Sequence, residues 1–336
     1  MGGKRRPIIA ITMGDPAGIG PEVVVKALVD PATRQLCQPF VVGHPAHLER
    51  AVTELGLPVE VVAIASTEEL PAEGLIPCWT VGMPPPEQLP RAQVSAAAGR
   101  AAYALVETAA RLALEGHADA IATAPLHKES LRLAGVQESG HTEILARLCR
   151  AERVSMLLVV EGLRVSHVTT HVALRRVADL VTTERVLEVI RLTDGFLAQL
   201  GLDRRRIGVL GLNPHAGEHG LFGDEDDEQV APAVLLAREA GIDAEGPLPA
   251  DTAIHWAHTG RYDALVAMYH DQGHVPVKLL DFSGGVNVTL GLPIIRTSVD
   301  HGTAFDIVGK GAADPSSMLA AIRLAAQVAA GADGGR

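Results

Sequence analysis

The densest run of chemistry-bearing side chains in this sequence is Met268-Tyr269-His270-Asp271-Gln272-Gly273-His274-Val275-Pro276-Val277-Lys278. Groups of this polarity are costly to bury unless they are paired or bound to a metal. A solvated, histidine-rich loop is the plain alternative. The run follows residues 262–267, whose apolar pattern reads as a buried strand. His270 and Asp271 are therefore expected at the carboxyl end of a strand, where open α/β sheets keep their ligands. His171 and His215 hold the same kind of position, after the apolar runs 163–170 and 206–212. Parallel neighbouring strands would bring all three imidazoles to one sheet edge. Three neutral imidazoles suit Zn²⁺ or a similar divalent ion and leave positions open for substrate. Taken singly, each reads equally as a satisfied core histidine. An ion held only by neutral ligands keeps its double charge and polarises an alcohol or ketone oxygen. Asp251 and Asp271 are candidates to orient an imidazole or accept a proton. Lys278, Asn287 and Arg296 form a set suited to a phosphate or carboxylate, or else ordinary ion pairs with the 40 acidic residues.

These residues need elements to place them. Residues 7–13 read as a strand. The turn Gly14-Asp15-Pro16-Ala17-Gly18-Ile19-Gly20-Pro21-Glu22 follows, then a helix over 21–29 with proline in its first turn. The turn is not G-x-G-x-x-G, so a tight strand-to-helix connection without ligand competes evenly with an anion cradle. Residues 93–116 read as an Ala-rich helix and 118–123 as a strand. Gly140-His141-Thr142-Glu143 opens a helix running to about 150. Backbone N–H groups, a hydroxyl and an imidazole at a helix start suit an anion; Thr142 as a simple N-cap accounts for the same pattern. Residues 154–160 and 163–170 predict a hairpin. Residues 180–200 predict a helix. The acidic cluster 224–228 reads as helix capping rather than a metal site. Residues 246–252 read as a loop entering a helix. Strands are expected over 286–290 and 294–298, and a C-terminal helix from near Pro315.

The chain has 336 residues, more than one core usually covers, which predicts two lobes or one large α/β unit. Aromatic content is 3 %, so the core must be built from Ala, Val, Leu and Ile. A net charge of −11 argues against non-specific nucleic-acid binding. Cys37, Cys78 and Cys149 are scattered and offer no CxxC pair, which fits a reducing cytoplasm. No segment has the apolar length of a membrane span or a signal peptide, so a cytoplasmic protein without membrane partners is expected.

Both ends of the chain resemble the β-decarboxylating dehydrogenases, the isocitrate and isopropylmalate dehydrogenase group. Gly18-Ile19-Gly20-Pro21-Glu22-Val23 is similar to their N-terminal G-I-G-P-E-V. His301-Gly302-Thr303-Ala304-Phe305-Asp306-Ile307-Val308-Gly309-Lys310-Gly311 resembles the loop that wraps the adenosine half of their nicotinamide cofactor. The resemblance implies a two-lobed α/β/α sandwich with the active site in the interlobe cleft. It places 1–135 with 300–336 in one lobe and 136–299, with the metal and a dimer interface, in the other. It makes His301, Gly302, Asp306 and Ile307 cofactor-binding, with Asp306 favouring NAD because a carboxylate repels a 2′-phosphate. Phe305 replaces the proline of that group.

Nearly end to end, the chain resembles the 4-hydroxythreonine-4-phosphate dehydrogenase family of pyridoxal phosphate biosynthesis. The match runs through Gly140-His141-Thr142-Glu143, Leu212-Asn213-Pro214-His215-Ala216-Gly217-Glu218, Gly246-Pro247-Leu248-Pro249-Ala250-Asp251-Thr252 and Met268-Tyr269-His270-Asp271-Gln272-Gly273. By this resemblance His171, His215 and His270 hold a divalent metal (Zn, Mg or Co), with His270 donated across the interface of a homodimer that shares its active site. His141, Thr142, Lys278, Asn287 and Arg296 match substrate-binding positions. The implied reaction is NAD-dependent oxidation of the C3 hydroxyl of 4-phospho-hydroxy-L-threonine, then β-decarboxylation to 3-amino-2-oxopropyl phosphate. Lys278, Asp251 and Asp271 are the candidate catalytic residues. A sister branch oxidises 4-phospho-D-threonate or 4-phospho-D-erythronate to dihydroxyacetone phosphate. Residues 273–280 and 303–307 look somewhat more like that branch. Three histidines with an open position also suit a zinc hydrolase, which would have no need of the Asp300–Gly311 segment.

Overall fold

Uninterrupted apolar runs such as Ile8-Ile9-Ala10-Ile11-Thr12 and Ala264-Leu265-Val266-Ala267 become strands covered on both faces, as parallel sheets require. A computed structural model describes residues 5–71 and 74–333. The chain divides into two units, one of Met1–Glu152 with Leu292–Ala330 and one containing Arg153–Gly291. The first begins with β1 (Ile8–Thr12), α1 (Gly20–Val29), α2 (Pro31–Leu36), β2 (Gln38–Gly43), α3 (Pro45–Leu55), β3 (Glu60–Ile64) and β4 (Leu75–Thr80). It continues through α4 (Ala96–Leu114), β5 (Ala120–Thr123), α5 (Lys128–Leu133) and α6 (His141–Leu148). The second unit holds β6 (Ser155–Val160), β7 (Leu163–His167), α7 (Val177–Leu180), α8 (Thr183–Gln199), β8 (Ile207–Leu210) and α9 (Ala231–Glu239). After these come β9 (Ala244–Leu248), α10 (Ala250–His258), β10 (Ala264–Ala267), α11 (His270–Leu280) and β11 (Val286–Leu290). The chain then returns to the first unit with β12 (Ile295–Val299) and α12 (Ser316–Asp333).

In the first unit the strand order is β3-β4-β2-β1-β5-β12, with parallel pairings throughout. Its core is aliphatic, with Ile9, Ile11, Val24, Leu105, Ile121 and Ile322 buried and Phe40 a rare aromatic. In the second unit the order is β11-β6-β7-β10-β8-β9; β11/β6 and β6/β7 are antiparallel and the rest parallel. Leu158, Val165, Leu210 and Leu265 form its centre. The two ends of this second stretch lie together, since a Cβ on Gly291 would sit 2.0 Å from the Arg153 carbonyl oxygen.

The glycine-rich turn after β1 is explained by close packing. A Cβ on Gly20 would meet the Met13 carbonyl oxygen at 2.2 Å, and one on Gly18 would meet Thr303 at 2.8 Å. Gly14 has φ +76°, the left-handed region open to glycine.

Four expectations need correction. His141, Thr142 and Arg296 belong to the first unit, because the division falls at 152/153 and 291/292 rather than at 135/136 and 299/300. Gly246 and Pro247 lie inside β9 rather than in a loop. Among the described residues β9 pairs only with β8, and a sheet edge tolerates a missing N–H. The solvated-loop alternative for the polar run fails: His270 and Asp271 follow the end of β10 and open an 11-residue helix, despite Gly273 and Pro276 within it. The N-cap of α6 is Gly140, with no side-chain cap bond, so Thr142 is not the cap.

Gly99, within α4, shows how tightly the layers approach. A Cβ there would fall 1.9 Å from the Ser130 carbonyl oxygen in α5. Alanine would favour the helix by about 1 kcal/mol, but the overlap forces the backbone apart. Gly99→Ala is expected to destabilise the fold by about 1–3 kcal/mol, read as a lower urea midpoint.

Candidate active site

The three histidine-bearing strand ends are neighbours. β10 lies between β7 and β8 and runs parallel to both, with Ala267 opposite His167 and Val266 opposite Val209. Side chains then stitch the segments beyond the strands. Thr169 Oγ1 donates to the Met268 carbonyl at 2.8 Å. The Met268 N–H donates to Gln272 Oε1 at 2.7 Å, and Gln272 Nε2 donates to the Gly211 carbonyl at 2.7 Å. Gln272 thus joins the end of β10 to the end of β8. Sequence reasoning gave it no role; its place inside the polar run was the available signal.

His171 and His270 stand together, ring centroids 5.7 Å apart. With Tyr269 and Asp271 they line a cavity of about 320 Å³. His270 Nδ1 lies 2.7 Å from Asp271 Oδ1. A carboxylate accepts, so Nδ1 carries the proton and Nε2 keeps its lone pair. His215 sits in a one-turn segment, Pro214–Gly217, its ring facing Phe222 at 6.0 Å. The backbone here is strained: His215, Ala216, Glu218 and His219 have φ of 55°, 56°, 43° and 57°. Each such residue costs on the order of 1 kcal/mol or more, and such strain gathers at functional sites. Asp226, fully buried, holds the loop. Its carboxylate accepts from the Leu212 N–H at 2.7 Å and the Asn213 N–H at 3.0 Å. The acidic cluster lies at a helix start, as expected, and through Asp226 it also anchors the His215 loop.

Among the described residues of the single chain, no three His, Cys, Asp or Glu side chains form a group able to hold a metal ion. The expected trio is present as a pair, His171 and His270, with His215 on its own loop. The donor chemistry fits a divalent ion: imidazoles beyond parallel strand ends, one with its tautomer set for ligation. Of the candidate catalytic residues, Asp271 orients His270. Asp251 is exposed, and its Oδ1 accepts from the Thr252 N–H at 2.8 Å. Lys278 Nζ lies 5.3 Å from the Phe282 ring. Asn287 lies half-buried on β11.

In the first unit, Arg296 is buried on β12, with Nε and Nη2 donating to Thr123 Oγ1 at 3.2 and 2.8 Å. Burial pushes its guanidinium down to about 9, opposed by the Glu143 carboxylate. Burial, with the Arg296 charge adding to it, holds the His141 imidazole well below its ordinary value. His141 Nε2 is buried without a hydrogen-bond partner among the described residues. A buried cation, a neutral imidazole and a helix start lacking a side-chain cap form a site suited to an anion.

The segment expected to hold a dinucleotide is tied to α1. Lys26 Nζ donates to the Gly311 and Ala313 carbonyls at 2.7 and 2.6 Å, and the Gly309 N–H donates to Glu22. Phe305 stacks on His127, centroids 4.9 Å apart and planes 8° apart. His301 Nδ1 is 2.9 Å from the Gly302 carbonyl, while Gly302 and Asp306 are exposed and Ile307 is half-buried.

Residues 35–325 match the family model described as pyridoxal phosphate biosynthetic protein PdxA. The chain belongs to the PdxA family. This PdxA chain is 52 % identical over 326 residues to a 4-hydroxythreonine-4-phosphate dehydrogenase of Geobacter metallireducens, covering 96 % of each. It is 50 % identical over 325 residues to a D-threonate 4-phosphate dehydrogenase of Cupriavidus necator, covering 96 % of this chain and 97 % of that one. A crystal structure of a 4-hydroxythreonine-4-phosphate dehydrogenase from Burkholderia phymatum superposes with a TM-score of 0.87 at 49 % identity, covering 96 % and 98 %. The PdxA chain is therefore an oxidoreductase of the dehydrogenase type, and the expected α/β fold is the one observed.

Burial keeps several imidazoles of this PdxA chain neutral. His47 is pushed down to about 4 and His167 to about 3, from an ordinary value of 6.5. The unfolded chain takes up these protons near pH 6.5, the folded chain only at lower pH. Their contribution to stability is full above about pH 6.5 and is lost as pH falls toward the folded values. The urea midpoint is expected to drop between pH 7 and pH 5. In His47→Gln the acid slope should lessen by up to about 1.4 kcal/mol per pH unit.

Proposed function

We propose that the chain oxidises the C3 hydroxyl of 4-phospho-hydroxy-L-threonine with NAD and a divalent metal, and that loss of CO₂ then gives 3-amino-2-oxopropyl phosphate. This is a step of pyridoxal 5′-phosphate biosynthesis. The observation that carries the reading is the buried Arg296–Thr123 pair beside the His141 helix start. A guanidinium stripped of water gains strongly from a charged, hydrogen-bonding ligand, and a terminal phosphate supplies one. His141 and Thr142 contribute a ring and a hydroxyl to that phosphate site; Lys278 and Asn287 complete the substrate contacts. His171, His215 and His270 hold the metal, Zn²⁺, Mg²⁺ or Co²⁺. When bound, the ion supplies Lewis acidity at the C3 oxygen. Asp271 fixes the His270 tautomer, and Lys278 or Asp251 is the base for the hydroxyl proton; a bound NAD would supply the hydride acceptor. His301, Gly302, Asp306 and Ile307 hold the cofactor. The working form is a cytoplasmic homodimer whose chains share the site.

A second reading is oxidation of 4-phospho-D-threonate or 4-phospho-D-erythronate at C3 followed by loss of the C1 carboxylate as CO₂, giving dihydroxyacetone phosphate. The Cupriavidus necator relative, half identical across nearly the whole chain, favours it. NADH formation measured with each of the three substrates separates the readings: the amine-bearing substrate should turn over fastest, and preference for either hydroxy acid selects the second. His215→Ala should abolish turnover with all three while the thermal melt stays within a few degrees, and chelation should have the same effect. No turnover of any of the three, with metal and NAD present, would remove both readings.

Asp306 tests the cofactor assignment independently. Its exposed carboxylate should repel a 2′-phosphate, so Asp306→Ala is expected to raise kcat/KM for NADP relative to NAD by about tenfold, the effect of roughly 1.4 kcal/mol.

A further inference from the structure

His274 lies one turn beyond His270 on α11, and the two rings stack face to face. Their centroids are 3.6 Å apart and their planes 10° apart. His274 Nδ1 is 3.0 Å from the His270 carbonyl oxygen. A carbonyl only accepts, so Nδ1 carries the proton and the hydrogen bond fixes the ring that does the stacking. Behind His274 stands His167, centroid 4.9 Å away and fully buried. His167 Nδ1 lies 3.2 Å from the Met156 carbonyl. Its other edge is packed against the helix backbone, since a Cβ on Gly273 would fall 2.3 Å from His167 Nε2. Three imidazoles thus form a column that runs from the core of the second unit to the cavity beside His171.

The outer ring needs this support. The His270 side chain is 36 % exposed, and Asp271, its hydrogen-bond partner, is 77 % exposed. A carboxylate that open to solvent sets a tautomer but restrains a ring weakly. Ordering a mobile side chain at the moment of binding costs on the order of one rotamer's entropy. A flat ring pressed against one face of His270, itself backed by an immobile core histidine, removes that freedom beforehand.

We propose that His274 is a positioning residue: by stacking on His270 it holds that imidazole in the orientation in which Nε2 ligates the divalent ion. The inference rests on the reading of His270 as a metal ligand given above. It requires no contact between His274 and substrate, cofactor or metal.

The test is zinc affinity of the metal-stripped, full-length protein, measured by competition with a chromophoric chelator, with thermal melts of the same samples. His274→Ala should weaken zinc binding by about tenfold to a hundredfold, the usual effect of removing a group that orients a ligand. His274→Phe keeps a flat ring at the same place and should recover most of the affinity. Wild-type affinity in His274→Ala overturns the proposal, as does a folded His274→Phe that binds no better than His274→Ala. Should His274→Ala fail to fold, the comparison is His274→Phe against His274→Leu, which fill similar space with and without a π face; equal affinities again overturn it. His270→Ala separates the ligand assignment from the positioning role. If it binds zinc like the wild type, the ligand assignment fails and the positioning role falls with it. If it loses zinc while His274→Ala keeps it, the ligand assignment stands and only the positioning role is rejected.

Discussion

The backbone of Met268 is the point on which the second unit's chemistry turns. Its carbonyl accepts from Thr169 and its N–H donates to Gln272, so one peptide position ties the end of β7 to the end of β10. The far end of the same glutamine reaches the Gly211 carbonyl beyond β8. Three segments that would otherwise fray independently are held at a common level. Parallel register alone sets neighbouring strands side by side; it leaves the chain beyond the last ladder bond free to wander. These bonds extend the sheet's order by several residues, as far as the histidines.

The two units solve the problem of polar groups at a strand end in different ways. In the second, conformational strain at His215 is offset by a buried carboxylate that pairs with two backbone N–H groups. In the first, a fully buried arginine leans on a threonine hydroxyl one strand away. Both arrangements fix a polar group in place before any ligand arrives, and at Arg296 they do so away from water, where electrostatic interactions are strongest.

Much of this was legible in the sequence, and the failures have physical causes. Nearly continuous apolar runs marked β1, β6 and β10, because strands covered on both faces leave little choice of side chain. Arg296 and His141 stood out because such residues beside apolar runs are costly without a purpose. β9 was hidden by Gly246-Pro247, which punctuate most chains but are tolerated on an edge strand. α11 was hidden by Gly273 and Pro276. Its glycine is required by the ring of His167, a partner more than a hundred residues away in sequence that no local pattern reveals. The roles of Gln272, Asp226 and Thr123 were illegible for the same reason: each depends on a partner brought close only by the folded chain. Glu22 belonged to a recognised motif and Lys26, four residues on along α1, did not, but the backbone both grip lies nearly three hundred residues on.

The pairing of β12 with β5 has a bearing on biosynthesis. The first unit's sheet takes its last strand from residues 295–299, after the long 153–291 segment of the second has been made. The entry and exit of that long excursion adjoin each other at Arg153 and Gly291, so it can fold on an emerging polypeptide without waiting for the segments that flank it. The guanidinium of Arg296, by contrast, cannot meet Thr123 until that excursion has been made. The buried cation of the first unit is therefore set in place only after the long segment of the second has left the ribosome.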